Sequence, residues 1–341
     1  MILVTGGTGF LGAHLLCSLL EQGQRVRAIR RKSSLMDEFN LIVSYRFGKH
    51  SPDEIKKLLN GLEWAEADLL DVPALEEAFA GVTHVYHAAA MVSFVPKHVE
   101  QMMQTNVRGT ANIVNLCLDF GIKKLCYASS IAALGRAENG RLMDEKTEWE
   151  DSPLNSNYAI SKYRAEMEVW RAAEEGLDVV IVNPGVILGA GNWKKGSCRM
   201  LATASKKLPM YTQGVNGYVD VQDVAKAMIQ LMESTIVHER FVLVSANLSF
   251  QELFHLVNRQ TGNPDPTIKA PKWLTSLAVP LDALRAFLTG KDPLVTIETT
   301  RALHNRFFYK AEKIQKQTGF TFTPVETTIA ESILALNSGA F

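Results

Sequence analysis

The segment ILVTGGTGFLG, at residues 2–12, runs from an apolar stretch directly into a group of glycines. Apolar residues at helical spacing follow as far as Gly23, and a second strand-like run comes next, at residues 25–29. This pattern predicts a strand, a glycine turn, a helix and a second strand, which together form a βαβ unit. Glycines at such a turn let a dinucleotide's pyrophosphate approach bare backbone at the start of a helix. The segment therefore indicates a dinucleotide site.

The glycines of this turn fit two spacings. Gly7, Gly9 and Gly12 fit Gly-x-Gly-x-x-Gly, whereas Gly6, Gly9 and Gly12 fit Gly-x-x-Gly-x-x-Gly. The alternative is a glycine-rich turn that binds no ligand. We disfavour it because several glycines so close together weaken local structure without a compensating need.

Length and composition suit one α/β protein with a sizeable core. The chain has 341 residues, of which 47% are apolar, and its 36 Lys and Arg residues balance 36 Asp and Glu residues. This balance gives no reason to expect contact with nucleic acid or an anionic membrane. We expect a cytoplasmic protein without a signal peptide, a membrane span, a metal site or a disulfide frame, because apolar runs are short and the cysteines are widely spaced: Cys17, Cys117, Cys126 and Cys198.

Strands and helices are predicted to alternate along the first half of the chain. A polar segment to about residue 52 is expected to be irregular. The fold class is α/β, a doubly wound parallel Rossmann sheet with a smaller, mainly helical C-terminal substrate lobe. The sheet domain covers residues 1–182, with 221–244 rejoining it, and the lobe covers 183–220 and 245–341.

One apolar helix is predicted within this lobe, at residues 273–288. Its apolar character raises the question of membrane-surface contact. Helices that lie on membranes usually carry a Lys-rich polar face, which this segment lacks. We therefore expect the helix to pack into the core or the lobe.

Tyr158 and Lys162 are four residues apart, so they lie on one face of a predicted helix. A tyrosine hydroxyl, whose pKa in water is ~10, exchanges protons poorly at neutral pH. A neighbouring ammonium stabilises the phenolate and lowers that pKa. Ser129 and Ser130 end a predicted parallel strand, where ligands bind in such sheets. A serine there can hold a substrate oxygen against the tyrosine, although serines at strand ends are also common helix caps.

Taken together, these motifs resemble the extended short-chain dehydrogenase/reductase family, which is NAD-dependent epimerase/dehydratase-like. The resemblance covers about residues 1–244, and it is closest in character to dihydroflavonol 4-reductase and 3β-hydroxysteroid dehydrogenase-like reductases. The matching residues are Thr5–Gly12, Asp68-Leu69, His87-Ala88-Ala89, Thr105–Thr110, Ser129-Ser130 with Gly135, Tyr158 with Lys162, Asn183-Pro184-Gly185 with Gly189, and Tyr218–Ala225.

The resemblance implies a role for each matching position. Tyr158 is expected to donate or accept the proton, Lys162 to bond the nicotinamide ribose as well, and Ser130, at the family's usual interval before Gly135, to orient the substrate. Asn106 is expected to be structural, and Asp220 and Asp223 are expected to serve as strand-end and helix-cap residues. The expected cofactor contacts are Gly6, Gly9 and Gly12 with Phe10 and Leu11 at the pyrophosphate, Asp68 and Leu69 at the adenine, Ala88 and Ala89 behind the adenosine ribose, and Pro184 and Gly185 near the nicotinamide.

Basic residues follow the second predicted strand. An NAD site usually places a carboxylate there, on the ribose 2′-hydroxyl. This chain instead has Arg30 and Arg31, and a guanidinium pairs well with a 2′-phosphate. We expect NADP(H) rather than NAD(H); the alternative is a solvated basic turn in a protein that uses NAD.

The substrate is predicted from the apolar character of the expected pocket wall. Buried sugar hydroxyls would need hydrogen-bond partners, so an apolar wall favours a hydrophobic ketone or aldehyde. The alternatives are a nucleotide-sugar epimerase with tightly bound NAD, for which Lys194, Lys195 and Arg199 would hold an anion, and a non-catalytic NADP(H) sensor. The wall residues are Met91, Val92, Phe94, Ile131, Val186, Ile187 and Leu188, and Trp193, beside the three cations, is a further expected substrate contact. The resemblance also suggests a homodimer through the helices that contain Asn106 and Tyr158.

Overall fold

The computed structural model describes residues 1–135 and 141–338. The strands are β1 (Ile2–Thr5), β2 (Val26–Arg30), β3 (Leu62–Glu66), β4 (His84–His87), β5 (Lys124–Ala128), β6 (Leu142–Met143), β7 (Val179–Pro184), β8 (Val186–Leu188), β9 (Met210–Tyr211), β10 (Val215–Asp220), β11 (Glu239–Leu243), β12 (Ala246–Ser249), β13 (Ile268–Lys269) and β14 (Phe308–Tyr309).

The helices are α1 (Phe10–Glu21), α2 (Asp37–Phe47), α3 (Pro52–Leu59), α4 (Val72–Phe79), α5 (Val99–Met103), α6 (Gly109–Asp119), α7 (Asn157–Glu174), α8 (Gly196–Ala204), α9 (Val221–Glu233), α10 (Phe250–Thr261), α11 (Lys272–Thr289), α12 (Ile297–Ala302), α13 (Glu312–Thr318) and α14 (Val325–Asn337). A π-helical turn, Gln104–Arg108, joins α5 to α6, and short 3₁₀ turns lie at Pro96–His98 and Ile131–Leu134.

A parallel sheet forms the centre of the described structure. Its strands lie in the order β11-β7-β5-β4-β1-β2-β3. Ile2 of β1 is in register with Val26 of β2 on one side and with His84 of β4 on the other. The strand order reverses between β1 and β4, which is the point where ligands bind in such sheets. The predicted doubly wound parallel sheet is confirmed.

Helices cover both faces of this sheet. Helices α1, α2 and α9 pack over one face, and α4, α6 and α7 pack over the other. Strands covered on both faces are mostly apolar, and every residue of β5 and β7 is buried, including Lys124 and Asn183, which are hydrogen-bonded. This explains why each of these strands contains a continuous apolar run.

The later segments build the smaller lobe. A second sheet, in the order β12-β10-β8, packs with α8, α10 and α14 around an apolar cluster that includes Leu188, Tyr218 and Ile329. Strand β11 instead joins the edge of the main sheet, where Phe241 is in register with Val182 of β7. The segment 221–244 therefore contributes a helix and a strand to the main sheet layer.

One expectation about a helix was wrong, and another was right only in part. The segment before residue 52 is not irregular, because α2 forms there with Phe39, Ile42, Val43 and Phe47 buried. Helix α11 does not enter the core, since none of its residues is buried, but it packs on α12 within the lobe through a half-buried side that includes Leu274 and Val279. Its larger apolar side chains point to solvent, while polar side chains such as Asp282 bond to neighbouring segments.

Candidate active site

The glycine turn between β1 and α1 is built by close backbone contacts. Gly6 has a positive φ of 77°, and a Cβ on it would lie 2.7 Å from the Ala89 nitrogen. A Cβ on Gly12 would lie 2.1 Å from the Gly6 carbonyl oxygen, and one on Gly7 would lie 2.7 Å from Leu16 Cδ1. Packing of the protein itself therefore requires glycine at Gly6 and Gly12, which meet backbone atoms, whereas Gly7 meets the movable end of the Leu16 side chain.

Gly9 differs from the other glycines of the turn. Its φ of −97° is open to any residue, and a Cβ there would make only an ordinary 3.4 Å contact with the Gly6 oxygen. It is exposed, and it precedes α1 as an N-cap without a side-chain hydrogen bond. The protein has no packing need for glycine here. The absence of a side chain instead leaves the N-terminus of α1 open to an anionic group, which fits a dinucleotide pyrophosphate.

The strand ends beside this turn form its surroundings. Ala88 and Ala89 follow β4 and pass against Gly6, and the Ala89 amide donates to Thr5 Oγ1 at 3.2 Å. Asp68, after β3, accepts a hydrogen bond from the Leu70 amide, and Leu69 packs on Gly109. These four positions, predicted to border the adenosine, thus line up along the carboxyl edge of the sheet.

Two guanidinium groups lie at the carboxyl end of β2. Arg30 is half-buried and Arg31 is exposed. Within residues 1–135 and 141–338, neither guanidinium has a hydrogen bond or an ion pair to the protein, although the Arg31 amide donates to Ser34 Oγ. Both positive charges therefore remain available to a ligand phosphate.

Helix α7 carries Tyr158, Lys162 and Glu166 on successive turns. The Lys162 ammonium is buried and donates to Tyr127 Oη and to the Ala128 carbonyl oxygen, each at 2.8 Å. Burial lowers the pKa of Lys162 to about 7, although the nearby Glu166 acts in the opposite direction. The half-buried Tyr158 ring meets Phe94 edge-on, with centroids 6.0 Å apart.

The two serines after β5 face different surroundings. The buried Ser129 hydroxyl donates to Glu166 Oε2 at 2.5 Å. The half-buried Ser130 oxygen accepts from the Ala132 amide at 3.1 Å and caps a 3₁₀ turn. Ser129 is therefore committed to the interior, whereas the Ser130 hydroxyl proton has no donor role in that cap.

Glu166 is a site residue that sequence reasoning missed. Its buried carboxyl group accepts from Ser129, from Asn183 Nδ2 at 2.8 Å and from Arg240 Nη1 at 3.0 Å. Arg240 also donates to the carbonyl oxygens of Glu145 and Thr147. This network ties α7 to β7 and β11 behind the catalytic candidates. In the sequence, the position of Glu166 one helical turn after Lys162 was the feature that could have indicated its place in the site.

A second buried network lies below the glycine turn. His87 shares hydrogen bonds with Thr5 Oγ1 at 2.6 Å and Thr110 Oγ1 at 3.0 Å, and its ring stacks on Tyr127. Burial lowers the pKa of His87 to about 3, so the ring is neutral at physiological pH. Lys162 meets this network through Tyr127, another residue that sequence reasoning missed.

Asn106 lies in the π-helical turn and is buried. Its amide group accepts from the Met91 nitrogen at 2.7 Å and donates to the Met91 oxygen and to Ser161 Oγ. It thereby fixes the loop after β4 to helix α7, as a structural residue does. Asp220 caps α9, and Asp223 accepts from the Thr323 amide and hydroxyl.

The predicted pocket wall divides into two groups. Met91, Val186, Ile187 and Trp193 are half-buried and Val92 and Phe94 are exposed, so these six retain surface for a ligand. Ile131 and Leu188 are instead buried in apolar clusters. Pro184 is also buried, and Gly185 lies close to the Gly217 oxygen, where a Cβ would come within 2.5 Å.

Other site classes find no counterpart in the described part of the chain. All four cysteines are buried and unbridged. Over residues 1–135 and 141–338, no cluster of three or more His, Cys, Asp or Glu side chains is arranged to hold a metal ion. No helix in the same ranges is long and apolar enough to cross a membrane.

Comparisons with known proteins agree with this architecture. Residues 2–244 match the model of the NAD dependent epimerase/dehydratase family. A Synechocystis sp. protein provisionally named dihydroflavonol 4-reductase is 30% identical over 97% of this chain and 92% of its own length. Cinnamoyl-CoA reductase 1 of Petunia hybrida is 28% identical over 76% of this chain and 77% of its own. The crystal structure of gox2253 superposes with a TM-score of 0.79 and 30% identity, covering 100% of this chain and 99% of that one.

The family model spans well over half of the chain, and its matched region holds the glycine turn, Ser130, Tyr158 and Lys162. The chain therefore belongs to the NAD-dependent epimerase/dehydratase family, and it is an NAD(P)-dependent oxidoreductase of the extended short-chain dehydrogenase/reductase type.

Proposed function

We propose that this protein reduces a ketone or aldehyde group on a hydrophobic small molecule, with NADPH as the preferred cofactor. The observation that carries the proposal is the set of Ser130, Tyr158 and Lys162 at the edge of the sheet that also bears the open glycine turn. The relatives named as dihydroflavonol and cinnamoyl-CoA reductases support reduction over epimerisation.

In this reaction Tyr158 donates its hydroxyl proton to the carbonyl oxygen, which Ser130 holds by a hydrogen bond. When bound, the reduced nicotinamide supplies the hydride that the carbonyl carbon accepts, so the product is an alcohol. The Lys162 ammonium stabilises the phenolate left on Tyr158. Two of its three hydrogens are held by Tyr127 and Ala128, which fixes the charge in place and leaves one for the ribose.

The cofactor is held by the residues along the sheet edge. Gly9 and the first amides of α1 receive the pyrophosphate, and Arg30 and Arg31 pair with the 2′-phosphate. The remaining contacts are made by Gly6, Phe10, Leu11, Gly12, Asp68, Leu69, Ala88, Ala89, Pro184 and Gly185. An unpaired guanidinium is the feature that favours NADP(H) over NAD(H).

The substrate contacts are Met91, Phe94, Val186 and Trp193, whose apolar surfaces suit an aromatic or aliphatic carbonyl compound. The second candidate function is nucleotide-sugar epimerisation. It is favoured by three exposed cations near the start of α8, Lys194, Lys195 and Arg199, which could hold a diphosphate.

The experiment that tests the proposal is a screen of NADPH consumption with hydrophobic aldehydes and ketones, run beside UDP- and dTDP-sugars. Carbonyl-dependent oxidation of NADPH without sugar turnover supports the reductase, whereas sugar turnover without net NADPH loss supports the epimerase. Stoichiometric NADPH binding with no turnover of any compound would instead support a sensor.

Tyr158→Phe is the matched variant for this screen. We expect it to lower turnover by about 10²–10⁴-fold, because the phenol proton is lost. NADPH affinity should stay within about threefold, since the ring is retained. Unchanged turnover would refute the assignment of Tyr158.

We also propose a homodimer through the helix pair that contains Asn106 and Tyr158. Helices α6 and α7 pack on each other, and Arg171 of α7 donates to Asn115 Oδ1 of α6. Their outer surface would form the interface. Light scattering during size-exclusion chromatography gives the mass directly, and a monomer at micromolar concentration would contradict the proposal.

A further inference from the structure

Unlike an ordinary surface helix, helix α11 directs most of its large apolar side chains toward solvent. These side chains recur at helical spacing, while Leu274 and Val279 are half-buried on the side that faces the protein. Trp273 is 64% exposed, Leu281 69% and Phe287 83%. We call this surface the outward stripe, and it comprises Trp273, Leu277, Leu281, Leu284, Phe287 and Leu288. Contiguous exposed apolar surface of this kind marks an interaction site.

The polar side chains of α11 are used within the protein. Thr275 Oγ1 shares a hydrogen bond with His304 at 2.8 Å. Asp282 accepts from the amides of Leu294 and Val295 and from Arg285, which in turn donates to the Asp292 carbonyl. These bonds fix which side of the helix faces the protein. The outward stripe is therefore held in solvent by the fold.

Positive charge flanks the outward stripe. Lys269 and Lys272 are exposed at its N-terminal end and Lys291 at its C-terminal end. The nearby carboxylates are engaged, since Asp282 bonds as described and Asp292 pairs with Lys97 at 2.7 Å. The surface thus has an apolar centre and cationic ends.

We propose that α11 docks this protein on the surface of an anionic lipid bilayer. The apolar stripe would enter the acyl boundary while the flanking lysines contact phosphate headgroups. At 18 residues the helix is about 27 Å long and lies in the plane of the surface. The proposal departs from the expectation of no membrane contact, which was drawn from the balanced overall charge and from the lack of a Lys-rich polar face on this helix. It does not depend on which carbonyl compound is reduced.

Charge also argues against a second copy of the chain as the occupant. An antiparallel pairing of two α11 helices would place Lys272 of one copy near Lys291 of the other. The carboxylates that could offset this repulsion are already bonded within each copy. Anionic headgroups have the complementary charge.

The experiment is cosedimentation of the full chain with phosphatidylcholine vesicles that contain either no phosphatidylglycerol or roughly one third of it. The test variant is Leu281→Ser/Leu284→Ser/Phe287→Ser. The matched control is Leu142→Ser/Leu334→Ser, which removes exposed leucines elsewhere, at 52% and 69% exposure. We expect the wild type and the control to bind anionic vesicles, and the triple variant to bind at least about tenfold more weakly.

Lys272→Gln/Lys291→Gln should weaken binding to anionic vesicles by roughly tenfold, and added salt should have the same effect. Quenching of Trp273 by brominated lipid, with Trp273→Phe as reference, tests insertion without relying on a multiply substituted chain. Absence of vesicle binding, or equal binding by the triple variant, would overturn the proposal. So would a wild-type dimer that the triple variant converts to a monomer, since the stripe would then be a self-interface.

Discussion

The charge of Lys162 sits in a protein interior, and its environment sets the pH response of the molecule. Burial lowers its pKa from 10.5 to about 7. The unfolded chain therefore binds one more proton than the folded chain between pH 7 and 10.5, and folding becomes more favourable as the pH rises through that range. The cost of burying the ammonium is present in full below pH 7.

We predict that the free energy of unfolding of the apo wild type, measured relative to Lys162→Met, rises from pH 7.5 to 9.5 by up to about 1.4 kcal/mol per pH unit. Urea denaturation at several pH values measures it. The comparison cancels the titration of other groups. Parallel stability curves for the two proteins would show that Lys162 does not titrate in this way.

Glu166 raises the pKa of Lys162 and anchors Arg240. We predict that Glu166→Gln lowers the pKa of Lys162 further, so the ammonium is lost at lower pH and the alkaline limb of the kcat profile moves toward acid. The variant should also lose about 2–4 kcal/mol of stability, because the partly buried Arg240 loses its counter-charge. Glu168→Gln on the same helix, which pairs with Arg171 at the surface, is the control. A pH profile like that of the wild type would leave Glu166 with a structural role alone.

Arg30 and Arg31 are predicted to select the cofactor. Arg30→Ala/Arg31→Ala should raise the Kd for NADPH by about 10–100-fold and that for NADH by less than about threefold, because only NADPH carries the 2′-phosphate. Fluorescence titration measures both constants. Lys32→Ala, the exposed neighbour, is the matched control. Equal losses for both cofactors would mean that the two arginines act on the fold or on the shared pyrophosphate.

Contacts between residues that lie far apart along the chain are hard to predict from the sequence. The spacing of Tyr158 and Lys162 and the serine pair after β5 were visible as local motifs. Arg240 lies 74 residues from Glu166, and no local motif near either residue indicates that they are in contact. Ile131 and Leu188 were predicted to line the pocket, and the structure places them in buried apolar clusters. Apolar character alone does not distinguish a pocket-lining residue from a residue of a buried cluster.

At the scale of the element, the glycine turn contains glycines that the packing of the protein requires and one glycine, Gly9, that we expect ligand binding to require. We predict that Gly9→Ala changes stability by less than about 0.5 kcal/mol but weakens NADPH binding by about tenfold or more, because its Cβ meets the ligand and not the protein. Gly12→Ala should destabilise the fold itself, since its Cβ would lie 2.1 Å from the Gly6 oxygen. Thermal unfolding and NADPH titration of both variants make the comparison. A large loss of stability in Gly9→Ala would remove the evidence that Gly9 is kept for a ligand.

Elements were predictable where burial imposes a pattern. Strands β5 and β7 are covered on both faces, so their apolar runs identified them. Helix α2 was missed because polar residues such as Asn40 and Ser44 alternate with its buried Phe39 and Phe47. For α11 the sequence correctly predicted an apolar helix, but apolar character alone does not say which side of a helix faces the protein.

At the scale of the whole molecule, the solvent-exposed apolar side chains of α11 reduce the amount of apolar surface that unfolding newly exposes to water. The side chains of the outward stripe are already hydrated in the native state, so their transfer to the unfolded chain adds little to the heat capacity of unfolding or to its denaturant dependence. Calorimetry in plain buffer should therefore detect little contribution from the outward stripe to the heat capacity of unfolding. A surface that withdraws the stripe from water would restore its contribution, and it would raise the melting temperature by as much as it binds the folded chain more tightly than the unfolded chain.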